Sequence, residues 1–191
     1  MRISALVVVA MAVALLGGCA SAVSPLYTNT DGITDPAIAG TWVGNERDNQ
    51  STVRIEKLND SSYGVTVHDQ KSGDDSVYDA HLVRLGHVSF ADLLLTNYRH
   101  AGQDVDLPAG AIALHEIVKY QITGNELSVS SIDGDALAKA ARQAGFSLQL
   151  RDTEKSGGST IILSTTPELR RYFSAHPADI FGTAEDLTRQ Q

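Results

Sequence analysis

Six histidines, a single cysteine and a few strand-borne acids are the residues of this chain best equipped for chemistry. His68, His81, His87, His100, His115 and His176 could hold a metal or move protons, yet they are scattered. They form no His-x-x-x-His pair and have neither a cysteine partner nor a carboxylate repeat at ligand spacing. The nearest approach to a site is His81 with His87 across a turn, with His115 or Asp79 as a third group. Histidines on half-exposed strands are ordinarily solvated or bonded to neighbours, so no metal is expected. Asp69, Asp74 and Asp75 surround Gly73 without the alternating oxygens and distal glutamate of a calcium loop, and read as a solvated turn. No Gly-x-Ser-x-Gly elbow is present, and Gly157-Gly158 is followed by neither a basic residue nor a helix signal. The sequence therefore predicts no catalytic residues, no cofactor and no enzyme.

Two acids stand out by pattern. Glu116 shares a strand face with Ile112, Leu114, Val118 and Tyr120, and Asp92 shares one with Val88, Phe90 and Leu94. If either points inward, a lone buried carboxylate is costly, so it requires a partner such as Arg84, a wet cavity or a raised pKa. The alternative is a bulge that flips the register at each acid.

The elements that would carry these residues are mostly strands. Period-two alternation over 52–56 and 63–68, joined through Asn59-Asp60-Ser61-Ser62, predicts a hairpin. His68 falls on its polar face. Residues 77–85 and 88–96 form a second hairpin turning at Gly86-His87, and 112–122 with 126–131 a third closed by Thr123-Gly124-Asn125. A short helix follows over 136–142 with Gly145 as its cap, then strands at 146–150 and 160–163. A second helix starts at Thr165-Thr166-Pro167-Glu168, carries Leu169, Tyr172 and Phe173 on one stripe, and ends at His176-Pro177. The fold class is mainly β: an antiparallel meander of about eight strands forming a barrel or a sandwich, with two short helices in the C-terminal third.

The address is written at the start of the chain. Met1 to Ser4 carries one charge, Ala5 to Leu16 has no polar side chain, and Leu16-Gly17-Gly18-Cys19 ends on the sole cysteine. The apolar run is shorter than the roughly 20 residues of a membrane-spanning helix. The tetrapeptide resembles the bacterial lipobox. That resemblance implies cleavage after Gly18, acyl chains on Cys19 and, with Ala20 rather than aspartate next, an outer-membrane lipoprotein facing the periplasm. Three regions follow: a signal peptide (1–18), a lipidated N-terminus and flexible tether rich in Ser, Thr, Asn, Asp and Pro (19–39), and one β-rich domain (40–191). Loss of residues 1–18 removes Arg2 and takes the formal charge from −8 to −9, which argues against a nucleic-acid partner and against a basic patch on anionic lipid. Lipidation would leave no cysteine for a disulfide, so packing alone must hold the fold.

Gly40-Thr41-Trp42, ahead of the first strand of the domain, is similar to the opening motif of the lipocalins, in which the tryptophan plugs one end of an eight-stranded barrel around an apolar ligand. Tyr78 to Leu85, Phe90 to Leu93 and Thr166 to Phe173 are similar to segments of bacterial lipoproteins of an uncharacterised family, which implies no activity. Two functional readings result. A structural or protein-interaction module of the envelope predicts a filled core, an apolar patch outside and an envelope protein partner. A lipocalin-like carrier predicts a cavity lined by Trp42, Tyr63, Val65, Val67 and Phe90, holding a lipid or another apolar or amphipathic molecule.

Overall fold

The computed structural model describes residues 20–31, 33–46, 49–106, 112–143, 150–153, 159–176 and 180–190. In chain order these form β1 (Ala20–Ala22), β2 (Gly40–Glu46), β3 (Asn49–Lys57), β4 (Tyr63–Asp69), β5 (Asp74–Leu85), β6 (Val88–His100) and β7 (Gln103–Asp104). Next come β8 (His115–Thr123), β9 (Glu126–Ser131), α1 (Gly134–Gln143), β10 (Leu150–Thr153), β11 (Ser159–Ile162), α2 (Thr166–Ala175) and β12 (Glu185–Arg189). The leader with Gly18 and Cys19, the Gly145 cap, residues 146–149 of the expected strand and Gly157-Gly158 lie outside the described residues.

Eight strands close into an antiparallel barrel in the order β2-β3-β4-β5-β6-β8-β9-β12, and β12 returns to β2. The barrel, not the sandwich, is the architecture. Closure needs β12, which pairs Leu187 with Gly44 on one side and with Leu127 on the other. The hairpins keep one register throughout except at Val77 and Tyr78, which pair with Asn97 and Leu95. There Thr96 is the extra residue, and its hydroxyl donates to the Val77 carbonyl at 3.0 Å.

One end of the barrel is sealed. The Trp42 indole N–H donates to the Ile38 carbonyl at 2.8 Å, and the Arg189 guanidinium lies 4.0 Å from the centre of the Trp42 ring. Arg189 also donates through Nη1 to the Ala39 carbonyl at 2.7 Å and through Nη2 to that of Ala37. This crowding accounts for the glycine of Gly-x-Trp: Gly40 has φ of 140°, and a Cβ there would lie 2.5 Å from Arg189 Nη1.

A second layer covers part of the outer wall. β1 pairs with β8 and, in parallel, with β11, and β10 continues that flap. A filled core, which includes Leu26, Phe90, Ile117, Leu137, Leu169, Tyr172 and Phe173, lies outside the barrel. α2 begins as its sequence requires, with Thr165 and Glu168 in a capping box and Pro167 in the first turn. Where the sequence composition suggests a flexible tether over 19–39, the structure corrects the expectation for the part it describes. Ala20–Ala22 is a strand, Ala22 and Leu26 are fully buried, and Ile38 packs into the barrel. The few apolar residues of that polar stretch are those that dock, and the backbone of β1 finds partners on β8 and β11.

Candidate functional site

The inward faces of the barrel strands do not meet. They leave between them a cavity of about 160 Å³, lined by apolar groups that include Val65, Val67, Tyr78, Leu93, Val118 and Leu127. Strand alternation produces this lining: along β8, Glu116, Val118 and Tyr120 face the hollow, while Ile117 belongs to the outer core. Near the end opposite Trp42 the wall carries Ser51, Ser131 and Glu185. Gly44 makes room there, because a Cβ at that position would come within 2.8 Å of Ser51 Oγ and 3.0 Å of Glu185 Oε1.

Polar groups at the sealed end are largely engaged. The Tyr63 hydroxyl accepts the Asp35 N–H at 3.0 Å, and the Tyr120 hydroxyl is bonded to Ser89, although burial pushes its pKa up to about 12. Glu116 differs, since burial alone raises its pKa to about 6. Its carboxyl faces the hollow, and its register partners are Leu93 of β6 and Ser21 of β1. Ser131 pairs with Val118, two residues along β8 from Glu116 on the same face, and its buried Oγ has no hydrogen-bond partner among the described residues.

Asp92 lies on the opposite face of the same strand pair. Its side chain is buried outside the barrel, where Oδ2 accepts the Leu26 N–H at 2.5 Å and Oδ1 accepts from His115 Nδ1 at 2.6 Å. Tyr27 stacks on His81, with centroids 3.8 Å apart, and meets His115 edge-on. Burial, followed by the nearby Asp92 and Asp79 charges, raises the Tyr27 pKa. His81, His115 and Asp79 thus gather around Tyr27, whereas His87 is exposed at the β5–β6 turn. Among the described residues no three His, Cys, Asp or Glu side chains are arranged to hold a metal ion.

No family model, curated protein or solved structure matches this chain. The site therefore rests on its own geometry.

The residues singled out in the sequence divide cleanly. Tyr63, Val65, Val67 and Glu116 line the cavity. Trp42 is fully buried in the barrel core at the sealed end, outside the lining, and Phe90 packs 5.7 Å from Phe173 in the outer core. Asp92 does not face inward, because both faces of β6 are buried and its face is the one turned to Leu26 and His115. Arg84 serves neither acid; it is exposed beside a wide polar groove and donates to Ser89 Oγ at 3.4 Å. Asp74 is not a solvated turn residue either. It begins β5, buried, accepting the Tyr98 hydroxyl and His100 Nδ1 at 2.7 Å each, and the hydrogen bond from Tyr98 leads the effects that lower its pKa. His68 is half-buried and donates through Nδ1 to Asp75 at 2.7 Å. Sequence reasoning missed Ser131, Glu185 and Leu187, the last two on a strand with a single apolar residue between polar ones.

Proposed function

We propose that this protein binds a small apolar or amphipathic molecule inside its barrel, in the manner of a lipocalin-like carrier, without catalysis. The observation that carries the reading is the cavity. A filled interior is what a purely structural module calls for, and the barrel holds instead a hollow of about 160 Å³ with a mostly apolar wall. Apolar cavities near 150 Å³ in other proteins admit one aromatic ring, so the bound portion is a ring or a short alkyl chain, not a whole lipid. Leu16-Gly17-Gly18-Cys19 supports an address at the outer membrane, with acyl chains on Cys19 facing the periplasm. Because β1 begins at Ala20, the barrel would sit directly against the bilayer without an intervening tether.

Native and denaturing mass spectra of the purified full chain, with solvent extraction, test this reading. A reproducible co-purified organic molecule released on unfolding is expected; a clean apo mass with nothing extractable contradicts it. One observation favours a second reading, contact with an envelope protein partner. β10 ends the strand order, so one side of Leu150–Thr153 has no strand beside it among the described residues, an edge suited to strand addition. Crosslinking from position 152 in intact envelopes should then yield a discrete adduct, and its absence removes that reading.

A further inference from the structure

Resting on the cavity reading above, we infer that the ligand is a small amine whose ammonium group is received by Glu116 and Ser131. The wall of the hollow has a one-sided polarity. Among the described residues of the wall two are glutamates, Glu116 and Glu185, and none is lysine, arginine or histidine. An anionic ligand such as a fatty acid would place its carboxylate near Glu116, with no cationic side chain among the described lining residues to receive it. A wholly apolar ligand would exclude water from Glu116 and Ser131 while giving neither a partner, which is costly for a carboxylate and for a hydroxyl.

An ammonium group meets both needs at once. It has three donors and no acceptor, and it offers the charge that a carboxylate in an apolar wall lacks. Glu116 and Ser131 lie on neighbouring strands of the same inner face, Ser131 opposite Val118. One small head group can lie between them while a ring or short chain occupies the apolar space toward Val65, Tyr78 and Leu127. The raised pKa of Glu116, about 6, is consistent with an acid waiting for a cation. Binding the amine would draw it back toward the ionised form.

Titration calorimetry of the purified full chain at pH 8 with three single-ring probes of similar size, benzylamine, toluene and benzoate, tests the assignment. Benzylamine should bind at least about tenfold tighter than toluene, as a charge-assisted hydrogen bond implies, and benzoate should be the weakest. Glu116→Gln should bring benzylamine and toluene to nearly equal affinity while toluene binding persists, which also shows that the variant is folded. In the parent the benzylamine preference should shrink as pH falls below about 6. If toluene binds and benzylamine gains nothing over it, the amine assignment fails and the cavity reading stands. If the preference survives in Glu116→Gln, the role given to Glu116 is overturned. If no probe binds, the cavity reading falls and the amine assignment with it.

Discussion

Two cores share the wall formed by β6 and β8, and they are built to opposite ends. Outside, Phe90, Ile117, Leu26 and the α2 residues Leu169, Tyr172 and Phe173 interlock, each at most 2% exposed. Inside, the same strands present Ala91, Leu93, Val118 and Tyr120 to a hollow. Each core also contains an acid. Asp92, outside, is satisfied by a backbone N–H and a histidine, and so acts as a fastener for the N-terminal segment. Glu116, inside, has only burial acting on its pKa. A carboxylate whose partners come from its own chain is a structural group; one that lines a cavity without such partners is the group the proposed ligand would engage.

The contrast can be broken from either side. The largest effect is expected in the filled core, where Phe90→Ala should cost about 4 kcal/mol in urea unfolding, since the surrounding rings cannot collapse into the space. Removing the fastener by Asp92→Ala should cost about 3 kcal/mol, because it leaves the Leu26 N–H and a buried histidine without their acceptor, and amide exchange at Leu26 should accelerate with it. Added volume should separate the cores. Ala22→Leu, in the filled one, should cost about 2 kcal/mol, while Ala91→Leu, facing the hollow, should stay within about 1 kcal/mol of the parent and abolish small-molecule binding.

The most specific effect is one of pH. Glu116 has its pKa raised from 4.5 to about 6, so between those values the folded state binds more protons than the unfolded one, and stability falls as pH rises. Glu116→Gln should therefore match the parent below about pH 4.5 and exceed it by about 1 to 2 kcal/mol at pH 8, measured as the difference in unfolding free energy. A gain that is constant with pH would contradict the assigned environment.

The three hairpins were legible because their alternation and turn residues are local signals, and α2 was legible from Thr165, Pro167 and the stripe Leu169, Tyr172 and Phe173. β12 was hidden, since Glu185-Asp186-Leu187-Thr188-Arg189 has one apolar residue and is a strand only through β2 and β9. β1, Ala20-Ser21-Ala22, was hidden because three residues are too few for an alternation signal and it is a strand only through β8 and β11. Asp92 shares its face with Phe90, as the alternation implies, but alternation cannot say which face is the interior when helices and the N-terminal segment bury the other one. Glu116 shares its face with Val118 and Tyr120 toward the hollow, the inward one of the two alternatives its alternation leaves open. Ser131 escapes sequence reading, because nothing in its surroundings shows that its hydroxyl has no partner among the described residues.

The most direct test of the hollow interior is a methyl-resolved NMR titration of the full chain with toluene. Saturable shifts should appear at Val53, Val65, Leu93 and Val118, with Leu26 and Ile162 of the filled core unmoved. Shifts in the outer core alone, or none at saturating toluene, would show that the barrel interior is not the binding site.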